Sequence, residues 1–260
     1  MNIFPSHRYK KLLSSLIYLF SYKKLLSIRS QNNGEESKIL QDIVPYIENK
    51  SFIEFGFDID EFNSMPLIES NFKGLLIESW NLEVNLFNLI AKVHKLNTRA
   101  CNDFLSLDNL ELIELFVKKA HGLGVLSIDI DGNDYWILKA ILKFVNPEVI
   151  IVEYNASFLD HSISIPYDKS FDISMQKSSI YHGASLMAFY NMLSVKGYSL
   201  VANTNGINLF FMQNNLVEKA NMKGYEGMEI YKENGLRNHG QISNAKEQWS
   251  TINNLEFTEV

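Results

Sequence analysis

A single cysteine, Cys101, is all that the 260 residues contain. That excludes an intrachain disulfide and a multi-cysteine zinc site, and it fits a reducing cytoplasm. No apolar run reaches the roughly 20 residues needed to span a bilayer. No acidic residue precedes Glu35, whereas Arg8, Lys10, Lys11, Lys23, Lys24 and Arg29 are all basic. The remainder sets the other 18 of the 24 basic residues against 30 acidic ones, a net of −12. An acidic body argues against general nucleic-acid binding. The chain has no internal repeat. Its first strand-to-helix loop lacks G-x-G-x-x-G, which disfavours a nicotinamide-binding oxidoreductase.

What is present is a core. The chain is 46% hydrophobic and 12% aromatic, which suits a globular α/β protein. Residues 9–28 read as a basic amphipathic helix with Leu12, Leu13, Leu16, Ile17, Leu19 and Phe20 in its apolar part. The polar stretch Gln31-Asn32-Asn33-Gly34-Glu35-Glu36 reads as a linker. From residue 51 onward, short apolar runs at 51–56, 74–78, 98–102, 125–130 and 149–154 alternate with helical patterns. Such alternation indicates a doubly wound parallel sheet. A helix over 185–196 then precedes two β-runs, 198–202 and 207–212, joined by Asn203-Thr204-Asn205-Gly206. An Asn-Gly turn between apolar runs is a hairpin signal. The reading divides the chain into an N-terminal helix and linker (1–34), an α/β domain (35–215) and a polar C-terminal extension (216–260).

The runs that matter most end abruptly in acids or amides. Leu126-Ser127-Ile128-Asp129-Ile130-Asp131-Gly132-Asn133-Asp134 is one, and Val149-Ile150-Ile151-Val152-Glu153-Tyr154-Asn155 is the next. In an open parallel sheet, strand C-termini face the ligand crevice. Asp129, Asp131 and Glu153 there can hold a divalent cation of the Mg²⁺ type, or one of them can act as a general base. Asp134 reads better as a helix cap. Tyr154 and Asn155 are candidates for substrate contact. His182, in the loop before the 185–196 helix, is a candidate base or ligand, against the blander reading of a structural loop histidine. Glu54 and Gly56 close the first strand, where glycine lets the backbone approach a ligand. Glu78 closes the second, where an acid can accept ribose hydroxyls. The bland alternatives are a turn glycine and a solvated strand-end acid. His94 and His121, at helix ends, read as capping residues.

These motifs together resemble a known family. Ile128-Asp129-Ile130-Asp131-Gly132-Asn133-Asp134 looks like the I-D-V-E-G-x-E motif of FkbM-type S-adenosylmethionine-dependent methyltransferases. Gly74-Leu75-Leu76-Ile77-Glu78 looks like that family's second strand. Ile165-Pro166-Tyr167-Asp168, Gly183-Ala184-Ser185-Leu186 and the closing hairpin resemble a bacterial subgroup linked to surface-polysaccharide or secondary-metabolite methylation. The resemblance spans residues 52–212. It implies a class I methyltransferase-like, Rossmann-like seven-stranded sheet with a terminal antiparallel hairpin. It implies S-adenosylmethionine as cofactor, with Glu54 and Gly56 at its methionine part, Glu78 at the ribose, and Asn102 or Asp103 near the adenine. Asp129 would lie beside the sulfonium and the acceptor. One position departs from the family: its first loop follows E-x-G-x-x-x-G, and here Asp60 stands where the second glycine would be.

The expectation is therefore an O-methyltransferase acting on a sugar hydroxyl, with Asp129, Glu153 and His182 as catalytic candidates. The altered loop motivates an alternative, a catalytically silent domain of the same fold that binds a sugar, nucleotide or protein. The N-terminal helix admits three readings: a peripheral membrane contact, an oligomer contact, or an extra helix packed on the body.

Overall fold

The computed structural model describes residues 6–28, 30–234 and 244–260. Arg29 and His239 lie outside the described residues. The chain divides into two compact units: Met1–Pro45 with Lys50–Phe104, and Tyr46–Asn49 with Leu105–Val260.

The first unit begins with α1 (Ser6–Ser15), α2 (Ile17–Phe20) and α3 (Tyr22–Leu25) in place of the single helix expected over 9–28. Ser21 makes the break. Its backbone is extended, and its hydroxyl accepts the amide of Lys24, so it caps α3 and ends α2. The expected linker is also different: α4 (Gln31–Ile43) runs straight through it. A buried polar knot starts that helix. Ser30 Oγ donates to Glu36 Oε2 at 2.8 Å and accepts the Ser37 amide at 3.1 Å. Polar composition read as a break because these partners satisfy one another out of water, which composition does not reveal. Then come β1 (Ser51–Phe55), α5 (Met65–Glu69), β2 (Lys73–Glu78), α6 (Asn81–His94) and β3 (Thr98–Asn102). β1, β2 and β3 pair in parallel, with Glu78 opposite Asn102.

The second unit holds α7 (Glu111–Ala120), β4 (Val125–Ile128), α8 (Asp134–Ile141) and β5 (Val149–Glu153). After β6 (Ile163–Ser164) and α9 (Leu186–Ser194) comes the hairpin β7 (Tyr198–Thr204) and β8 (Asn208–Gln213). The chain ends with α10 (Asn214–Ala220), α11 (Ala245–Ile252) and β9 (Thr258–Glu259). β4 and β5 are parallel, β8 is antiparallel to both β5 and β7, and β9 pairs antiparallel with β6. The seven main strands form one sheet in the order β3-β2-β1-β4-β5-β8-β7. This is the mostly parallel α/β architecture with a terminal hairpin that the sequence predicts.

β1 and β4 are buried at every position, and β5 at every position but Glu153. Continuous burial, rather than alternation, marks strands covered on both faces. Each fully buried Ile or Leu in them contributes about 2 kcal/mol. The tail beyond residue 214, polar in composition, still joins a core: Ile252 packs with Phe158, Ile163 and Ile165, and Trp249 and Phe257 lie against that cluster. Among the described residues no helix is long and apolar enough to cross a membrane.

Candidate functional site

In the first unit, the residues after β1 are tied down by side chains. Gly56 has φ +73°, a conformation glycine adopts without cost, and its amide donates to Ile77 O. Glu54 is 3% exposed, and its carboxylate accepts the amides of Asn63 at 2.7 Å and Ser64 at 2.9 Å. Both oxygens thus brace the chain's own loop rather than pointing to a cofactor as the resemblance implied. Burial pushes the Glu54 pKa up against the pull of those bonds. Glu83, in the first turn of α6, accepts the Ile59 amide at 2.5 Å. It too is buried, and desolvation raises its pKa to about 7.

The departure from the family's glycine pattern has a structural counterpart here. Phe57 and Ile59 are buried, and Phe57 packs edge-on against Phe62 and Phe87. Asp58 pairs with Lys11 at 2.7 Å, and Asp60 accepts the hydroxyl of Ser15. Tyr18 also hydrogen-bonds Asp60, and its own pKa is pushed up to about 12, chiefly by burial. The two acids added to this loop are therefore partners for α1 and α2. His94, expected as a helix cap, instead bonds Tyr18 O at 2.6 Å and lies against the Tyr22 ring. His121 is the left-handed C-cap residue of α7, so it is the backbone rather than the imidazole that closes the helix.

Glu78 ends β2 partly exposed. Its Oε1 accepts the Trp80 amide at 3.0 Å and the Ser79 hydroxyl at 3.1 Å. Its Oε2 takes no hydrogen bond among the described residues and is free for a ligand hydroxyl. Asn102 and Asp103 close β3 beside it: Asn102 Nδ2 and the Asp103 amide both donate to Glu78 O.

In the second unit, the loop between β4 and α8 is shaped by Asp134. This carboxylate is 1% exposed and accepts the amides of Ile130 and Gly132, each at 2.9 Å. Desolvation still dominates, and its pKa rises to about 6. The helix-cap reading of Asp134 becomes a loop-tying role; Asn133 is the N-cap. Asp131 between them sits at φ +56°, a left-handed position that Asp tolerates better than most residues. Gly132 is required by contact: a Cβ there would lie 2.3 Å from the Phe171 ring.

These constraints present three side chains together. One ligand atom each from Asp131, Glu153 and His182 lies within 4.8 Å of the others. Asp131 is exposed, Glu153 half-buried at the end of β5, and His182 2% exposed. Atoms that share one ion lie at most about twice a 2.0–2.6 Å bond apart, so this spacing fits a single cation. The set differs from the expected Asp129, Asp131 and Glu153. His182 takes the third place, and Asp129, half-buried just past β4, stands outside the group.

Asn155 explains how a loop histidine reaches the strand ends. It is fully buried; its amide nitrogen donates to Ile180 O at 2.6 Å and His182 O at 2.9 Å, while its oxygen accepts the Ser157 amide. Asn155 is thus a clasp on the His182 loop, not the substrate contact expected of it. Tyr154 is likewise corrected. Its ring is 1% exposed, and its hydroxyl donates to Lys232 O and accepts from Asn203 Nδ2. Asn133 pins the far end of the same loop through both atoms of its amide to Asp168. Sequence reasoning missed Asn133 and Asn155 as clasps, because an amide beside an apolar run looks the same whether it meets ligand or backbone, and it missed Glu83, which reads as an ordinary first-turn helix acid.

The fold is that of an α/β protein, and its second unit carries a cluster of two carboxylates and an imidazole with the spacing of a cation site. No family model and no curated protein matches the sequence. Among solved structures, the chain is similar to an O-methyltransferase from Bacillus cereus in complex with SAH, at 17% identity, 78% of this chain and 89% of that one, and a TM-score of 0.47. A putative O-methyltransferase from Klebsiella pneumoniae matches at 13% identity over 82% and 92%, with a TM-score of 0.46. The branched-chain polyamine synthase from Thermus thermophilus matches at 10% identity over 84% and 66%, with a TM-score of 0.45. At such distances the functional reading rests on the side chains.

Proposed function

We propose that the protein is an S-adenosylmethionine-dependent O-methyltransferase whose acceptor is a saccharide hydroxyl. The observation that carries this is the Asp131, Glu153 and His182 group, drawn from the loop after β4, the end of β5 and the loop before α9, in a chain where β2 ends in Glu78, whose Oε2 takes no hydrogen bond among the described residues. The first unit supplies cofactor recognition. Glu78 Oε2 accepts the ribose hydroxyls, with Gly56 near the methionine part and Asn102 and Asp103 toward the adenine, as the family resemblance assigns them. Asp129 keeps the place that resemblance gives it, beside the sulfonium.

The second unit supplies acceptor chemistry. The acceptor oxygen forms a bond to the methyl carbon as the carbon–sulfur bond breaks, leaving a thioether, and the hydroxyl proton passes to a base. Glu153 and His182 are the bases on hand, and Asp129 is the third candidate. Holding acceptor and methyl in line contributes much of the rate. A divalent cation bound by Asp131, Glu153 and His182 would instead polarise the hydroxyl and lower its pKa, and the proton would then pass to Asp129, since ligating groups no longer serve as bases. An imidazole beside two carboxylates suits Mn²⁺, Fe²⁺ or Zn²⁺ better than Mg²⁺.

A second reading has its own observation. Glu54 is fully engaged by Asn63 and Ser64, and the loop after Gly56 is pinned by Lys11, Ser15 and Glu83. Those ties favour a catalytically silent domain that has kept the fold. Calorimetry with S-adenosylmethionine separates the two. The methyltransferase reading expects binding that Glu78→Ala weakens by roughly thirtyfold, the loss of about 2 kcal/mol of charge-assisted hydrogen bonding. Folded wild-type protein that gives no heat at millimolar cofactor refutes it in favour of the silent domain.

A further inference from the structure

The N-terminal helices are amphipathic in the wrong sense for a segment packed on a protein core. Lys11, Ser15 and Tyr18 share one face at i, i+4 and i+7. They point inward, to Asp58 and Asp60. Leu13, Leu16, Ile17 and Phe20 share another at i, i+3, i+4 and i+7. They face solvent, with Leu13 66%, Ile17 49% and Phe20 86% exposed. α2 packs beside α6, which adds exposed Leu82, Leu89 and Val93. Scattered exposed apolar residues need no explanation, but a helical stripe of them beside an apolar neighbour does.

We propose that this face docks on an anionic phospholipid surface. Charge selects that occupant. Lys10 continues the stripe at its N-terminal end, Lys23 and Lys24 follow it in α3, and all three are exposed. Lys92 and Lys95 are exposed at the end of α6. No acidic residue occurs before Glu35. An interfacial helix buries its Leu and Phe at the acyl boundary while its lysines meet the headgroups. A second copy of the chain fits less well: a two-fold contact would set this basic patch against itself. The polar inner face stays latched to the 56–60 loop, so docking requires no unfolding.

The test is sedimentation of the full-length protein with vesicles. Vesicles of phosphatidylcholine with phosphatidylserine should carry the protein down, and phosphatidylcholine alone should not. Raising salt from about 50 mM to about 500 mM should release it. Ile17→Ser with Phe20→Ser should lower partitioning by roughly tenfold or more. Lys23→Gln with Lys24→Gln should lower it by roughly ten- to thirtyfold at low salt, and serves if the first variant folds poorly. Protein that stays in the supernatant with phosphatidylserine vesicles overturns the proposal, as does an Ile17→Ser, Phe20→Ser protein that sediments like wild type. A wild-type dimer that this pair of changes converts to monomer, with no vesicle binding, replaces the membrane by a second copy.

Discussion

Glu83 offers a quantitative check on how the 56–60 loop is held. Its carboxylate is buried, accepts the Ile59 amide, and has a pKa raised from 4.5 to about 7, mainly by desolvation, with Asp58 and Glu78 adding repulsion and Arg8 opposing it. Because the folded value lies above the unfolded one, the folded chain keeps a proton that the unfolded chain has released between about pH 4.5 and 7. Stability is therefore highest below that window and falls as pH rises through it. From pH 5 to pH 8 the loss from this one group is about 2 to 3 kcal/mol, taking about 1.4 kcal/mol per unit of pKa shift. Glu83→Gln keeps an oxygen for the Ile59 amide and cannot ionise. Any fixed cost of the new amide is the same at both pH values, so the difference between wild type and variant isolates the titration. Urea midpoints should move in the variant's favour by roughly 1 M between pH 5 and pH 8. A difference that does not change with pH would show that the carboxylate is charged and well solvated at neutral pH, and that burial has been misjudged as the dominant influence.

Two substitutions probe the other unit. Gly132→Ala should cost about 1–3 kcal/mol, because its Cβ collides with the Phe171 ring, and adding Phe171→Ala should recover part of that loss; thermal melting would show no recovery if the glycine serves some other purpose. Asn155→Asp should be more destabilising than Asn155→Ala at pH 7, although it is nearly isosteric, since it turns a donor to Ile180 O and His182 O into a charged acceptor facing two carbonyls. The reverse order in chemical denaturation would mean that the amide is not clasping that loop.

The sheet was legible because its strands are buried on both faces and therefore read as unbroken apolar runs. The Asn203-to-Gly206 turn then made the final hairpin legible too. Strand ends came out slightly short of the reading at β4, where the sequence pattern runs on through Ile130 but Asp134 has already claimed that residue's amide for the loop. The N-terminal segment was the least legible. Its apolar residues suggested a face, but only the structure shows that the polar face is the one turned inward. Ser21 and Ser30 look like ordinary surface serines in the sequence, yet one ends a helix and the other starts one. For the site, sequence could place acids at strand ends but could not sort them. His182 joins the group through a long loop whose course depends on Asn133 and Asn155, and no local pattern encodes that path.

Burial sorts the acids where spacing cannot. Glu54, Glu83 and Asp134 are all enclosed, all accept backbone amides, and all have their pKa values raised by desolvation. A carboxylate in that position accepts backbone amides, through both oxygens in Glu54 and Asp134 and through one in Glu83, and its charge is opposed by its surroundings, so it stiffens a loop. Glu78, Asp131 and Glu153 close or follow a strand less deeply enclosed: Asp131 is exposed, and Glu78 and Glu153 are half-buried. The chain thus uses fixed acids where a glycine-rich loop would leave the backbone mobile. Gly56 is the only glycine between Glu54 and Asp60; Glu83 holds Ile59, Lys11 and Ser15 hold Asp58 and Asp60 from α1, and Glu54 holds Asn63 and Ser64 just beyond. The test of this division is its asymmetry. Neutralising an enclosed acid should move stability with pH and leave ligand affinity nearly unchanged. Neutralising Glu78 should do the reverse, and equal effects on both readouts from either kind of substitution would remove the distinction.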